Sequence, residues 1–347
     1  MSVISLKNKV HLAFEISIFR QPYILLIILI SLLCGSLLTW SFMTFVFSQP
    51  LLTFSAIRTH DISKPLIRPL LAYNTPEMQT TSPLEEALKI IISTSIKNKQ
   101  LTTASVYYRD LNTGRWFGIN QDQKFVPASL FKVPLMIAYL KDVEKNPNLL
   151  SIKITDDLVS DENKNETIKA LQSVKQGERY TIEQLLHYMI EFSDNNATVL
   201  LFKNVNQDTL RKVFSDLDIQ IPTIGVNTDF ISVGNYSFLF RVLYNATYLS
   251  HEMSEKGLEM LSKIDFENGI RSGDIPKSIT IADKFGEYYS VGNDVVNEHQ
   301  LHDCGIIYHP KHPYLLCVMT KGEKLEDLKK LIQEVSKVTY GYVSAIK

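Results

Sequence analysis

From Gln21 to Ile57 the chain carries no charged side chain, and Tyr23 to Phe47 is almost wholly apolar. A run of that length is enough to cross a bilayer as a helix, so the sequence predicts one transmembrane helix over 23–47. The residues before it (1–22) hold Lys7, Lys9 and Arg20 against one acid, Glu15. That imbalance keeps the N-terminus in the cytoplasm and sends the chain after Ser48 to the other side. A cleaved signal peptide would have a shorter apolar core ending in a small-x-small site, which is absent, so an uncleaved anchor is expected. Cys34 does not read as a lipid attachment site, because Leu33 is bulky and the apolar run continues past it.

Residues 48–82 contain Pro50, Pro65, Pro69 and Pro76, scattered charge and no sustained period, which predicts an extracytoplasmic linker. The remaining chain, 83–347, is long enough for one large domain. With 36 basic against 37 acidic residues in the whole protein, nothing suggests a nucleic-acid partner.

Helical spacing of Leu84, Leu88, Ile91 and Ile92 predicts a first helix, followed by two short β-rich runs, TASVYYRD and RWFGIN. From Ser129 the pattern turns helical: SLFKVPLMIAYLKDVEK, then YTIEQLLHYMIEF, which Thr181 and Gln184 open as a capping box, then NATVLLFKNV. Runs over Tyr236–Leu249 and Glu255–Ile264 complete this block. Strands return at SITIADKFGEYYS, DCGIIYHP and YLLCVMTKG before a last amphipathic helix. The order predicts an α/β fold of the α+β sandwich kind. One antiparallel five-stranded sheet is built from both ends of the domain and flanked by helices, with an inserted all-α subdomain and a cleft where the parts meet.

The segment HDCGIIYHPKHPYLLCVMT reads as a hairpin turning at Pro310–Pro313. That sets Cys304 and Cys317 as diagonal neighbours, not opposite partners, and a disulfide between them is not assumed. His302, His309 and His312 read as solvated residues near that turn. No His or Cys cluster has metal-ligand spacing, so no metal and no cofactor is expected.

Three short patterns stand out in the folded part. Ser129 and Lys132 form Ser-x-x-Lys at a helix start, where helical geometry brings residues three apart onto one face and free backbone N–H groups favour negative charge. A lysine serves as base to a serine only if its amine is shifted toward the neutral form. Pro134, soon after, is expected to bend that helix. Ser193-Asp194-Asn195 lies between two predicted helices, and Lys284 and Gly286 lie on a later strand.

Ser-x-x-Lys, Ser-Asp-Asn and Lys-x-Gly in that order resemble the penicillin-recognising serine enzymes, and the arrangement of elements is most similar to the class A β-lactamase branch over about residues 83–347. The resemblance implies that Ser129 is acylated by a β-lactam or related amide, with Lys132 assisting proton removal, and that Ser193 passes a proton to the leaving nitrogen. It implies that Asn195 holds the donor's side-chain amide and Lys132, and that Lys284 supplies positive potential. The backbone N–H groups of Ser129 and of Glu287, after Gly286, would form the oxyanion hole. A side chain at Gly286 would crowd the substrate.

This chain departs from the family's pattern twice. Phe285 stands where Thr or Ser would bind the substrate carboxylate, and the adjacent Glu287 adds negative charge there. The segment after Ser-Asp-Asn, where class A enzymes carry a water-activating glutamate, offers one acid, Asp229, as the candidate. Three readings are open: a β-lactamase-like serine hydrolase, a penicillin-binding D,D-peptidase or acyltransferase acting on peptidoglycan stem peptides, and a silent domain that binds wall fragments. Five chemically coupled groups argue against the third; the missing glutamate disfavours efficient β-lactam hydrolysis, the tether suits wall chemistry, and the expectation is an active-site serine hydrolase of the class A β-lactamase-like group. The expected location is a bacterial cytoplasmic membrane, single-pass with the N-terminus inside; the sequence names no protein partner.

Overall fold

The computed structural model of the chain describes residues 22–47, 56–59, 61–73, 82–220, 228–271, 275–292 and 295–346. The expected cytoplasmic residues 1–21 and the part of the loop from 221 to 227 lie outside the described residues. Two units are present, Met1–Thr53 and Phe54–Lys347. In the first, Pro22–Phe47 forms one helix, α1, of 26 residues. Taken over the described residues, no helix is long and apolar enough to cross a membrane; several side chains of α1 stand outside that set.

The second unit begins earlier than the sequence suggests. Ala56–Arg58 (β1) pairs with Leu70–Tyr73 (β2) within the stretch expected to be linker. The reason is a set of buried polar contacts that a composition argument does not register. Both oxygens of the Glu255 carboxylate accept from the Leu66 N–H (2.9 and 3.1 Å), and one also accepts from the Ile67 N–H (2.8 Å). The Arg68 N–H donates to the Tyr244 carbonyl at 2.7 Å, and Tyr308 Oη donates to the Leu66 carbonyl at 2.9 Å. Leu66 and Ile67 are buried in the core.

Pro83–Lys97 (α2) comes next, capped by the Ser82 side chain, with Pro83 in its first turn and Glu85 and Glu86 at its positive end. Thr103–Asp110 (β3) and Trp116–Ile119 (β4) form the expected hairpin. A 3-10 turn, Ala128–Phe131, runs into Lys132–Val143 (α3). Pro134 does not break α3: it falls in the first turn, where its missing N–H has no intrahelical partner to lose. Lys153–Thr155 (β5) pairs with Arg179–Thr181 (β6). Ile182–Glu191 (α4) opens with the Thr181–Gln184 capping box complete. Asn195–Asn204 (α5), Gln207–Asp216 (α6), Val233–Tyr244 (α7) and His251–Ser262 (α8) finish the helical block; α6 was not foreseen. Ile281–Gly292 (β7), Val295–Ile307 (β8), Tyr314–Gly322 (β9) and the terminal helix Leu325–Ser344 (α9) close the unit.

The sheet order is β4-β3-β9-β8-β7, antiparallel throughout. Central β9 is buried at every residue, which explains its continuous apolar run in place of alternation. Strand β7 forms an edge of the sheet, and its edge borders the cleft. Helix α3 is buried along Lys132–Leu140, as an element surrounded by other helices must be.

Two expectations about β8 need correction. Cys304 lies directly opposite Cys317, their Cα atoms 3.9 Å apart, and the two are joined by a disulfide. The pairing Ile307↔Tyr314 centres the turn on Pro310–Lys311, earlier than expected, and that register makes the cysteines partners. His302 is not solvated. It is fully buried, edge-on to Phe125, with Nε2 3.0 Å from the Val126 carbonyl oxygen, and burial pushes its pKa down to about 4.

The role of Glu255 is testable. Glu255→Ala leaves the buried Leu66 and Ile67 donors without acceptors and should destabilise the docked 61–73 segment by about 2 kcal/mol. Limited proteolysis should then cut within Ala56–Tyr73 at least tenfold faster, with Glu255→Gln intermediate. An unchanged cleavage rate would show that these bonds do not hold the segment.

Candidate active site

The nucleophile candidate is held in a turn that is tied down on both sides. Before it, Phe125 exchanges backbone hydrogen bonds with Ile231, and the Val126 N–H donates to Gln300 Oε1 at 3.0 Å. After it, Tyr236 Oη donates to the Leu130 carbonyl at 3.0 Å. Ala128 adopts φ +48°, and Ser193, across the cleft, adopts φ +56°. Left-handed backbone at non-glycine residues costs free energy and persists only where the surroundings impose it. Both residues therefore sit where packing has overridden local preference.

Lys132 Nζ donates to the Ser193 carbonyl (2.6 Å), to Ser193 Oγ (3.1 Å) and to Asn195 Oδ1 (2.7 Å). Lys284 Nζ donates to the same Ser193 Oγ at 3.0 Å and to the Phe285 carbonyl at 2.8 Å. Both amines are buried. Burial pushes the Lys132 pKa down to about 7, against the opposing pull of Glu166 and Asp194. For Lys284, burial and then the neighbouring Lys132 push the pKa well below its ordinary value, with Asp283 and Asp303 opposing. A hydroxyl has two acceptor lone pairs and one donor. With both lone pairs of Ser193 facing amines, its proton is left for a third group in the cleft.

Lys132, Ser193, Asn195 and Lys284 are thus joined by hydrogen bonds, and Ser129 lies in the 3-10 turn that leads into Lys132. Among the described residues, however, no hydrogen bond joins the Ser129 hydroxyl to the Lys132 amine, which is turned toward the Ser-Asp-Asn turn; the two residues are joined only through the Lys132 backbone N–H, which donates to the Ser129 carbonyl. Asp194 has a structural task. Fully buried, it caps α5 and accepts from Asn163 Nδ2 (2.7 Å), Ser173 Oγ (2.9 Å) and the Val174 N–H (3.0 Å).

On β7, a Cβ added at Gly286 would lie 3.1 Å from the Pro127 carbonyl oxygen and 3.2 Å from Leu130 N. The close approach of strand and turn therefore leaves little room for a side chain here, a packing reason for the glycine apart from the substrate crowding expected from the sequence. Phe285 stacks on Phe266 with ring centres 4.1 Å apart, which packs the ring into the core. The Glu287 side chain does not reach into the cleft as a free negative charge. It is buried, and its Oε2 accepts from the Ile168 N–H at 3.0 Å.

Asp229 is not part of this constellation. Its carboxylate is engaged by Lys321 and by Gln300 Nε2 (3.2 Å), and among the described residues it makes no hydrogen bond to the cleft groups. The acid that does reach them was missed. Glu166 precedes Ser-Asp-Asn in the chain, and its Oε1 accepts from Asn195 Nδ2 at 2.6 Å. The only signal in the sequence is the polar, turn-rich run SDENKNET, which does not distinguish Glu166 from its neighbours.

The family model described as the beta-lactamase enzyme family matches residues 83–343. The chain is 26% identical over 250 residues to Beta-lactamase VEB-1 of Pseudomonas aeruginosa, covering 65% of this chain and 80% of that protein. Among solved structures, PBP-A in an acyl-enzyme complex with penicillin G superposes with a TM-score of 0.64 at 22% identity, covering 78% of this chain and 100% of the other. A beta-lactamase from Sphaerobacter thermophilus gives 0.62 at 21% identity, covering 76% and 98%. The structural likenesses establish the fold; the family match, spanning most of the chain, establishes kinship. By that match, this chain belongs to the beta-lactamase enzyme family.

Proposed function

We propose that the protein is a membrane-tethered serine hydrolase that opens β-lactams or related amides through an acyl-enzyme on Ser129. The observation that carries this reading is the Ser193 hydroxyl shared by two buried amines. As Ser129 Oγ bonds to the substrate carbonyl carbon, its proton passes to the neutral Lys132 amine. Ser193 then relays a proton from Lys132 to the leaving nitrogen as the C–N bond breaks, which restores the neutral amine. The N–H groups of Ser129 and Glu287 stabilise the oxyanion. Water then hydrolyses the ester and frees Ser129.

The tether is part of the same reading. A 26-residue helix spans about 39 Å, more than the roughly 30 Å of a bilayer's hydrocarbon core. Lys7, Lys9 and Arg20 ahead of it favour a cytoplasmic N-terminus. The Cys304–Cys317 disulfide suits an exported domain. Expressed in bacteria, the full chain should sediment with membranes and resist alkaline extraction, whereas a chain beginning at Phe54 should not. Extraction of the full chain by alkali would overturn the tether.

Intact-mass spectrometry of the full chain in detergent with a penicillin tests the chemistry. A one-drug adduct that forms on the wild type and is absent from Ser129→Ala is expected. Its decay marks a hydrolase, and its persistence marks penicillin-binding behaviour instead. No adduct would overturn the assignment of the nucleophile.

The acylation rate should also depend on pH in a direction set by Lys132. Its amine is protonated below a pKa of about 7 and neutral above it, and only the neutral form accepts the Ser129 proton. The rate should therefore climb about tenfold per pH unit on the acid side and level off above about pH 7. A rate that is flat between pH 5.5 and 8, as roughly set limits, would remove Lys132 as the base.

A further inference from the structure

The amide of Asn195 is occupied on both sides. Its oxygen accepts from Lys132, and its Nδ2, which the sequence resemblance assigns to the donor's side chain, donates to Glu166 Oε1 at 2.6 Å and more weakly to the Glu162 carbonyl at 3.4 Å. Glu166 is not carried there by a loose loop. On the Ser-Asp-Asn side, the Glu162 N–H donates to Asn196 Oδ1 (2.8 Å), Asn163 Nδ2 donates to Asp194, and the Asn195 N–H donates to Asn163 Oδ1 (2.9 Å). On the β7 side, the Ile168 N–H donates to Glu287 and Tyr289 Oη donates to the Asn165 carbonyl at 2.7 Å. The segment 162–168 is therefore a strap pinned to both walls of the cleft, and the carboxylate at its middle has a fixed position.

We propose that Glu166 sorts acyl donors by the charge of their side chain, favouring those that carry an ammonium group beside the amide that Asn195 would hold. This rests on the reading of Ser129 as nucleophile and Asn195 as the side-chain amide's partner. A donor's amide carbonyl takes an Nδ2 hydrogen either from Glu166 or from the weaker Glu162 carbonyl contact, and in both cases the carboxylate beside it has lone pairs open to a further donor. An ammonium on the adjacent carbon supplies it, a hydrogen atom does not, and a second carboxylate repels it.

The surrounding charges leave that preference in place. Lys132 and Lys284 are buried and committed to Ser193, Asn195 and Phe285, and burial drives both toward neutral amines. Glu287, a carboxyl group of β7 near the strap, adds no positive charge, and burial pushes its pKa up. Of the cations in and next to the strap, Lys169 Nζ donates to the Asn163 (3.3 Å) and Lys164 (2.9 Å) carbonyls, and Lys164 is exposed.

Three penicillins with the same ring system and ring carboxylate make the test: ampicillin, benzylpenicillin and carbenicillin carry an ammonium, a hydrogen and a carboxylate on the same side-chain carbon. The readout is the second-order rate constant for adduct formation on the full chain in detergent. For a partly exposed charge the expected order is ampicillin over benzylpenicillin over carbenicillin, by about threefold per step at low salt, shrinking in about 0.5 M sodium chloride. Glu166→Gln keeps an oxygen for Asn195 Nδ2 but loses the charge, so the three rates should converge to within about 1.5-fold; Glu166→Lys should invert the order. A purely structural Glu166 would keep the wild-type order in the Gln variant, and that result, or charge-independent rates in the wild type, overturns the proposal alone. No adduct with any of the three overturns the proposed function and this inference with it.

Discussion

Two lysine amines sharing one serine hydroxyl, with little water to solvate either, is the constraint around which the rest of the unit is arranged. An ammonium removed from water needs compensation or gives up its proton. Lys132 has partial compensation from Glu166 and Asp194 against burial, which brings its pKa down to about 7; burial and then the neighbouring Lys132 hold the Lys284 pKa well below its ordinary value. Such an arrangement does little for stability by itself. It persists because three separate pieces of chain are held against one another: the turn before α3, the Ser-Asp-Asn turn between α4 and α5, and the edge of β7.

The supports of those three pieces are mostly backbone and buried polar contacts. Gly286 lets β7 come within ordinary contact distance of the Pro127–Leu130 turn. Asp194 ties the Ser-Asp-Asn turn to Asn163, Ser173 and Val174. Glu287, beside Gly286, fastens the strap through Ile168. Replacement of the family's hydroxyl residue by Phe285 is accommodated in the same way, because its ring packs on Phe266. What remains between the three pieces is a polar group of Ser193, Asn195 and Glu166 around the two amines.

Much of this was legible in the sequence where the signal is local. Helical and alternating periodicity, the Thr181–Gln184 box and the order of strands and helices are properties of near neighbours, and they predicted the five-stranded sheet with its helical insertion. Ser129, Lys132, Ser193, Asn195 and Lys284 were legible because their spacing and order match a known pattern. The misses share one cause. The docking of Leu66 and Ile67 on Glu255, the burial of His302 against Phe125 and the pairing of Cys304 with Cys317 depend on which residues meet across the fold. Register decides the last of these, since a small displacement of the turn exchanges diagonal neighbours for opposite ones.

The sequence by itself determined the main helices and the five sheet strands of 83–347, their order, the apolar N-terminal run and the three short motifs, because residue type and spacing control local conformation and chemical capacity. Tertiary structure alone decided which carboxylate faces those groups. Asp229 lies in the expected part of the chain but is drawn to Lys321 and Gln300, whereas Glu166 arrives from the opposite side of Ser-Asp-Asn on a strap tied at both ends. The position of an acid in the chain says nothing about which walls its loop bridges, and that bridging is fixed by hydrogen bonds between segments that the sequence keeps far apart.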